Sequence, residues 1–156
     1  MKIQSTITTL ILSSGLALGG DKELEIRLAD CPPAVRTTIE ANARGGQLDE
    51  IKLLVIGDRE LYIAEVELVG DLDLDIHVRG DGTLVKTRED VPKEDHPRFA
   101  ERLASEHGGQ LDDVDKELSQ AKTTYHIEID RRGQPDLDLI TDEAGNVLSK
   151  TEDHDD

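Results

Sequence analysis

The segment Gly45-Gly46-Gln47-Leu48-Asp49 recurs 63 residues later as Gly108-Gly109-Gln110-Leu111-Asp112. Between residues 45–90 and 108–153, 14 of 46 positions are identical without a gap, whereas average composition gives about three such matches by chance. Self-similarity at a fixed spacing is the sequence signature of a repeated structural unit. We therefore interpret this part of the chain as two copies of one unit.

Each copy opens with a short amphipathic pattern that ends at its Gly-Gly pair. In the first copy Val35, Ile39 and Ala43 recur every four residues after Pro33, which predicts a helix because residues at this spacing share one helix face. The apolar residues between Phe99 and Ala104 predict the second helix. The glycine pairs predict the helix ends, because glycine adopts positive φ without strain.

Alternating apolar residues after each helix predict strands. They are Ile51, Leu53 and Val55, then Tyr62, Ala64, Val66 and Leu68, then Leu72, Leu74, Ile76 and Val78, and in the second copy Tyr125, Ile127 and Ile129, then Leu137 and Leu139. A period of two with one polar side is typical of an antiparallel sheet covered on one face. The predicted fold class is α+β, with two tandem repeats, each one helix packed on a three- to four-stranded antiparallel sheet.

Composition along the chain predicts five segments. Residues 1–19 resemble a secretory signal peptide, because a short uncharged apolar stretch ends in small residues. Cleavage after Ala17 and after Gly19 both remain open, and the stretch is short for an uncleaved membrane anchor. The remaining segments are a charged lead-in at 20–30, a first repeat at 31–90, a second repeat at 91–153 and an acidic tail at 154–156. We expect a periplasmic or secreted protein.

The overall charge narrows the classes of partner. The chain has 35 Asp and Glu against 18 Lys and Arg, which gives a formal net charge of -17. Nucleic acids and anionic membranes repel such a protein, so we expect neither as a partner once the signal peptide is cleaved. Aromatic residues make up 2% of the chain, which disfavours a base-stacking platform or an aromatic-lined pocket.

The sequence contains no recognisable catalytic motif. There is no Gly-x-Ser-x-Gly elbow, and the five histidines lack the spacing of helical zinc ligands. Cys31 is the only cysteine, so no intrachain disulfide can form, and we interpret it as a buried, inert thiol rather than a lipid attachment site. We predict a non-enzymatic protein without a metal or cofactor.

The strongest candidate site is a set of acidic residues on the polar side of the predicted strands. They are Glu65, Glu67, Asp73 and Asp75 in the first copy, and Glu128, Asp130, Asp136 and Asp138 in the second. A turn centred on Gly70 would place Glu67 opposite Asp73 and Glu65 opposite Asp75, and like charges in such pairs are destabilising. We interpret the residues as a docking surface for a basic protein, with two alternatives: a solvated face without a function, and a calcium site made of carboxylate oxygens.

The landmarks of the strands resemble those of the PepSY-like family. The residues are Gly57-Asp58-Arg59-Glu60-Leu61-Tyr62-Ile63-Ala64-Glu65-Val66 followed by Asp81-Gly82-Thr83-Leu84, and in the second copy Tyr125-His126-Ile127-Glu128-Ile129 and Ala144-Gly145-Asn146-Val147. The second copy has Gln120 where Gly57 stands, so its first hairpin departs from the pattern. The resemblance covers roughly residues 31–152, as a tandem pair that also looks like the beta-lactamase-inhibitor fold.

The resemblance implies an extracytoplasmic, non-catalytic module that binds another protein. Domains of this kind restrain peptidases as propeptides, and the beta-lactamase-inhibitor fold presents a concave surface to its partner. The partner expected here is therefore another protein, either a basic one or an extracytoplasmic enzyme such as a peptidase, inhibited by surface occlusion. Such a family has no catalytic residues to carry over.

Overall fold

The computed structural model describes residues 22–153. The predicted signal peptide at 1–19 and the predicted acidic tail at 154–156 lie outside the described residues. The two helices are α1 (Pro33–Asn42) and α2 (Arg98–Glu106). The nine strands are β1 (Lys22–Glu25), β2 (Gln47–Ile56), β3 (Arg59–Leu68), β4 (Leu72–Arg79), β5 (Leu84–Asp90), β6 (Gln110–Ser119), β7 (Lys122–Asp130), β8 (Asp136–Asp142) and β9 (Val147–Asp153).

The strands form one continuous sheet. All nine pair antiparallel with their sequence neighbours, in the order β1 to β9. The prediction of two tandem repeats, each with its own three- to four-stranded sheet, is therefore wrong. β5 and β6 are hydrogen-bonded across the predicted boundary, with the pairing running from Lys86 opposite Ser119 to Asp90 opposite Asp115.

The physical reason for the merger is that edge strands carry unpaired backbone groups. If each half formed its own sheet, β5 and β6 would both be edges, and pairing them satisfies both rows of N–H and C=O groups. The charged lead-in also contributes, because Lys22–Glu25 pairs with β2 as the strand β1. The sheet thus ends in β1 and β9, both exposed along their length, and charged residues on such edges discourage pairing with another chain.

Two buried clusters occupy one face of the sheet. In the first, Val35 and Ile39 of α1 pack on β2, β3 and β4, and in the second, Ala100 and Leu103 of α2 pack on β6, β7 and β8. Leu74 of the first cluster lies in one cross-strand row with Glu89, Lys116, Tyr125 and Thr141. Because residues in one row point to the same side, both helices cover the same face, and we call the other side the open face.

The Gly-Gly pairs end the helices for two separate reasons. Gly45 and Gly108 have φ of +75° and +73°, as the helix-end prediction required. Gly46 instead passes close to β3, because a Cβ there would lie 2.6 Å from Val66 Cγ1 and 2.7 Å from the Glu67 carbonyl oxygen. The second glycine of each pair therefore allows the chain to enter β2 or β6 against its neighbour.

The described residues contain no helix that is long and apolar enough to cross a membrane.

Candidate partner-binding surface

The open face carries the predicted acidic residues of the first copy in the expected register. Glu65 pairs with Asp75 and Glu67 with Asp73 on β3 and β4, so the predicted cross-strand pairing is confirmed. These residues alternate with Ala64 and Val66, which are buried under α1. The like-charge pairs therefore point away from the core, where no helix covers them.

These four residues line a cleft of about 430 Å³ near the middle of the open face. Asp49, Asp90 and Asp115 also line it, together with Arg88. The backbone N–H of Asp73 donates a hydrogen bond of 2.9 Å to Asp90 Oδ2. We call this the first cleft.

A second cleft, of about 290 Å³, lies on the other side of Arg88. Glu128 and Asp138 line it and pair directly across β7 and β8. Asp130 and Asp136, predicted as part of the same group, lie elsewhere, at the turn between β7 and β8. Asp136 Oδ1 there accepts a 3.3 Å hydrogen bond from the Arg131 N–H.

Arg88 and Asp115 line both clefts and join the two halves of the sheet. Arg88 Nε on β5 donates a 2.5 Å hydrogen bond to Asp115 Oδ2 on β6. Beside this pair, Lys86 Nζ lies 2.8 Å from Glu117 Oε2. The open face at the junction is thus held by two ion pairs that link residues far apart in the sequence.

Carboxylates dominate the two clefts. Of the described residues that line them, Arg88 is the only lysine or arginine. The carboxylates are Asp49, Glu65, Glu67, Asp73, Asp75, Asp90, Asp113, Asp115, Glu128 and Asp138. We call these residues with Arg88 the central acidic surface. One cation lies just outside it, because Lys52 Nζ is 2.6 Å from Glu65 Oε1 and 3.2 Å from Glu50 Oε2.

Four of the cleft carboxyls have raised pKa values, mainly because they are partly buried and then because other carboxylates lie near them. Burial raises the pKa of Asp115 to about 6 despite the hydrogen bond from Arg88, and neighbouring carboxylates act in the same direction. Burial and then Asp90 raise the pKa of Asp73, and burial and then Glu65 raise that of Asp75. The pKa of Glu128 is raised by burial, then by nearby aspartates. A cationic ligand would favour the ionised form of all of these groups.

Two histidines of the open face are partly buried and uncharged at neutral pH. His77 and His126 are both half-buried, and His126 Nε2 lies 3.3 Å from Glu117 Oε2. Burial, followed by Lys86, lowers the pKa of His77 to about 4, and burial, followed by Arg88, lowers that of His126. Both are therefore neutral at pH 7 and add no positive charge to the surface.

The motifs of the sequence do not indicate the residues that β5 and β6 bring into the site, chiefly Arg88, Asp90, Asp113 and Asp115. Their positions depend on strand pairing between the two halves, which no local pattern indicates. One signal was present: at the offset of 63 residues, Asp115 corresponds to Lys52. The second half has a carboxylate where the first half has its neutralising lysine, and Arg88 from β5 supplies the missing cation.

The remaining candidates are structural. Cys31 is buried in the first core cluster, and burial raises the pKa of its thiol, which agrees with an inert side chain. Tyr62, one of the alternating apolar residues of its strand, is buried. Tyr125 is half-buried and makes an edge-to-face contact of 5.6 Å with Phe99.

Three carboxylates, Asp90, Asp113 and Asp115, place one oxygen each within 4.8 Å of the others.

Comparisons with known proteins find structural but no sequence similarity. No protein-family model matches the chain, and no curated protein matches it significantly. A DUF2874 family protein from Bacteroides uniformis has a TM-score of 0.61 at 15% identity, covering 78% of this chain and 89% of that one. A protein from Bacteroides eggerthii, described as periplasmic by inference, has a TM-score of 0.61 at 16% identity, covering 78% and 88%.

A BLIP-like protein, meaning one that resembles the beta-lactamase inhibitor protein, is also similar. It comes from Bacteroides fragilis and has a TM-score of 0.58 at 17% identity, covering 81% of this chain and 90% of that one. The chain therefore has a BLIP-like fold. The resemblance to PepSY-like domains remains a prediction, because none of these similarities rests on that family.

Proposed function

We propose that the chain is an exported, non-catalytic protein-binding module of inhibitor type, which uses the central acidic surface to cover a basic region of another protein. The observation that carries this proposal is the set of carboxylates around Arg88, held on a sheet face that neither helix covers. Clefts of one charge sign attract partners of the opposite sign and speed their association.

The energetics of the free protein support a functional interpretation over a merely solvated face. Like charges directly opposite each other destabilise paired strands, and here Glu65 with Asp75, Glu67 with Asp73 and Glu128 with Asp138 repeat this arrangement. A basic partner would convert that repulsion into favourable ion pairs. Mere solubility would be served equally well by charges spread over the surface.

An extracytoplasmic location is part of the proposal. The predicted signal peptide supports it, as does the similarity in fold to a protein described as periplasmic by inference. A BLIP-like fold likewise supports binding to a protein rather than catalysis. The proposed mechanism is surface occlusion, with no nucleic acid, membrane or cofactor as a partner.

The test is affinity capture from an exported fraction, followed by titration of the captured partner with two variants. In the first, Glu65→Gln, Glu67→Gln, Asp73→Asn and Asp75→Asn neutralise the first cleft. In the matched control, Glu40→Gln, Glu94→Gln, Glu101→Gln and Glu143→Gln remove the same charge from exposed positions outside both clefts. We expect the first variant to bind at least tenfold more weakly and to lose most of the salt dependence of association. Equal binding by both variants would contradict the proposal.

A second candidate function is divalent-cation binding, favoured by the convergence of Asp90, Asp113 and Asp115. Carboxylate oxygens are the ligands that calcium prefers. The ion would compete with Arg88, which already occupies Asp115. Calorimetric titration with calcium tests it: heat that disappears in Asp113→Asn supports the site, and no heat at millimolar calcium removes this candidate.

A further inference from the structure

A strip of apolar side chains lies on the open face of the first half, directly beside the central acidic surface. Leu61 and Ile63 precede Glu65 on β3 by four and two residues, so all three point to the open face. Leu54 of β2 pairs with Leu61 and points the same way. Two further apolar residues, from β2 and β5, line a cleft of about 510 Å³ together with Leu61. We call these five residues the apolar strip: Leu54, Ile56, Leu61, Ile63 and Val85.

The apolar strip is only partly covered by its own chain. Ile56 is 51% exposed, and the other four residues are half-buried. Neither helix packs on this side of the sheet, because both core clusters occupy the opposite face. Contiguous apolar surface that faces water is typical of an interaction site.

The second half of the sheet shows that the fold does not need this strip. At four of its five positions, the residue found 63 positions later is polar. These residues are Glu117, Ser119, Thr124 and His126, in place of Leu54, Ile56, Leu61 and Ile63. The two hairpins have the same register, because Leu54 pairs with Leu61 as Glu117 pairs with Thr124. The same hairpin therefore forms with polar side chains, so the apolar residues of the first half serve something other than folding.

The charges around the apolar strip suit a basic occupant. At the turn end of the strip, the cleft is lined by more carboxylates than cations: Asp58, Glu60 and Asp81 against Arg59 and Arg79. At its other end the strip meets the central acidic surface. A second copy of this chain is an unsuitable occupant, because each copy has a formal net charge of -17 and the two would repel each other.

We propose that the apolar strip anchors the same basic partner that the central acidic surface attracts, by binding apolar side chains next to the partner's basic ones. This inference rests on the proposed function and adds the chemistry of the partner to it. On β3, Glu65 and Leu61 are four residues apart, which places the two kinds of contact about 13 Å from each other, because a strand rises about 3.3 Å per residue. Charged surfaces mainly speed association and select the partner, whereas a few buried anchors supply most of the binding energy.

The test is an NMR titration of the full chain with three heptapeptides that are acetylated and amidated at their ends. The first, Lys-Gly-Lys-Gly-Leu-Gly-Leu, repeats the two-residue spacing of the acidic and apolar side chains on β3. The second has serine in place of both leucines, and the third has serine in place of both lysines. The first should bind at least fivefold more tightly than either of the others and should shift the amide signals of Glu65 and Leu61 together.

Two variants separate the apolar contact from the charged one. Ile56→Ser with Leu61→Thr introduces the residues of the second half, and it should abolish the preference for the leucine peptide without weakening the second peptide. The matched control is Val147→Ser with Leu148→Thr, at exposed positions of β9, which should keep the preference. Neutralising the first cleft with the four substitutions given above should weaken both lysine peptides by the same factor.

Equal affinity for the first and second peptides, or a preference that persists in Ile56→Ser with Leu61→Thr, would overturn the inference. If both lysine peptides then still weaken when the first cleft is neutralised, the proposed docking function stands without the anchor. Binding of the third peptide as tightly as the first would assign the strip to an apolar ligand unrelated to the acidic surface and would also overturn it. The absence of a saturable shift with the first peptide would have the same consequence.

Discussion

At the scale of single residues, Thr141 is the clearest departure from an otherwise well-satisfied core. It is fully buried, and its hydroxyl has no hydrogen-bond partner among the described residues. At the offset of 63 residues it corresponds to Val78, which is also fully buried and has nearly the same shape. The two halves therefore place an apolar and a polar side chain in corresponding core positions.

Thr141→Val should raise the free energy of unfolding by about 1 kcal/mol, because it removes an unsatisfied buried hydroxyl at nearly constant volume. Urea denaturation monitored by circular dichroism measures the change. The reverse substitution, Val78→Thr, is the control and should lower the free energy of unfolding by about 1–2 kcal/mol. A loss of stability in Thr141→Val would mean that the hydroxyl has a partner in solution.

At the scale of elements, the junction between β5 and β6 determines both the sheet and the site. Backbone pairing joins the strands, while Arg88 and Asp115 join them on the open face. Asp115 is 7% exposed and lies beside Asp90 and Asp113. A buried carboxylate without a cation is costly. Arg88 therefore stabilises the pairing of β5 with β6 by supplying the cation that Asp115 needs.

Arg88→Met should lower the free energy of unfolding by about 2 kcal/mol, and adding Asp115→Asn should recover most of that loss. The expected coupling in this double-mutant cycle is about 1–2 kcal/mol. The exposed pair Arg102 and Glu106 on α2 provides a matched cycle, for which coupling below about 0.5 kcal/mol is expected. Equal coupling in the two cycles would contradict a special role for the junction.

At the scale of the whole molecule, the open face contains groups whose titrations oppose each other. The raised pKa of Asp115, about 6, means that the fold binds a proton more readily than the unfolded chain, so stability rises as the pH falls through 6. The lowered pKa of His77, about 4, acts oppositely, since stability present above pH 6.5 is lost as the pH falls towards 4. His126 acts in the same sense as His77.

Removing both histidines should therefore expose the effect of the carboxyls. The variant carries His77→Ile and His126→Ile, because Ile140 and Ile63 occupy the corresponding positions of the other half. As the pH is lowered from 7 to 5, its free energy of unfolding should rise by about 1–2 kcal/mol. The unsubstituted protein should change less over this range. Urea midpoints at successive pH values measure both, and a fall in stability of the double variant would contradict the raised carboxyl pKa values.

The sequence alone determined the local features of this protein. The spacing of Val35 and Ile39 specified α1, and alternation along residues 62–68 and 72–78 specified two strands with their inward faces. The turn at Gly70 set the register that pairs Glu65 with Asp75. These features can be predicted from the sequence because they depend on residues that lie two to about ten positions apart. At that separation the side-chain period and the turn residues determine the structure.

The sharing of one sheet by the two halves, and the contact of Arg88 with Asp115, depend on long-range strand pairing. Pairing of strand edges uses backbone groups that every sequence has, so no residue pattern indicates which edges join. Arg88 and Asp115, which line both clefts, are 27 positions apart in the sequence, and their proximity follows from the strand order. The acidic residues were therefore identifiable from the sequence, whereas their assembly into clefts around one arginine was not.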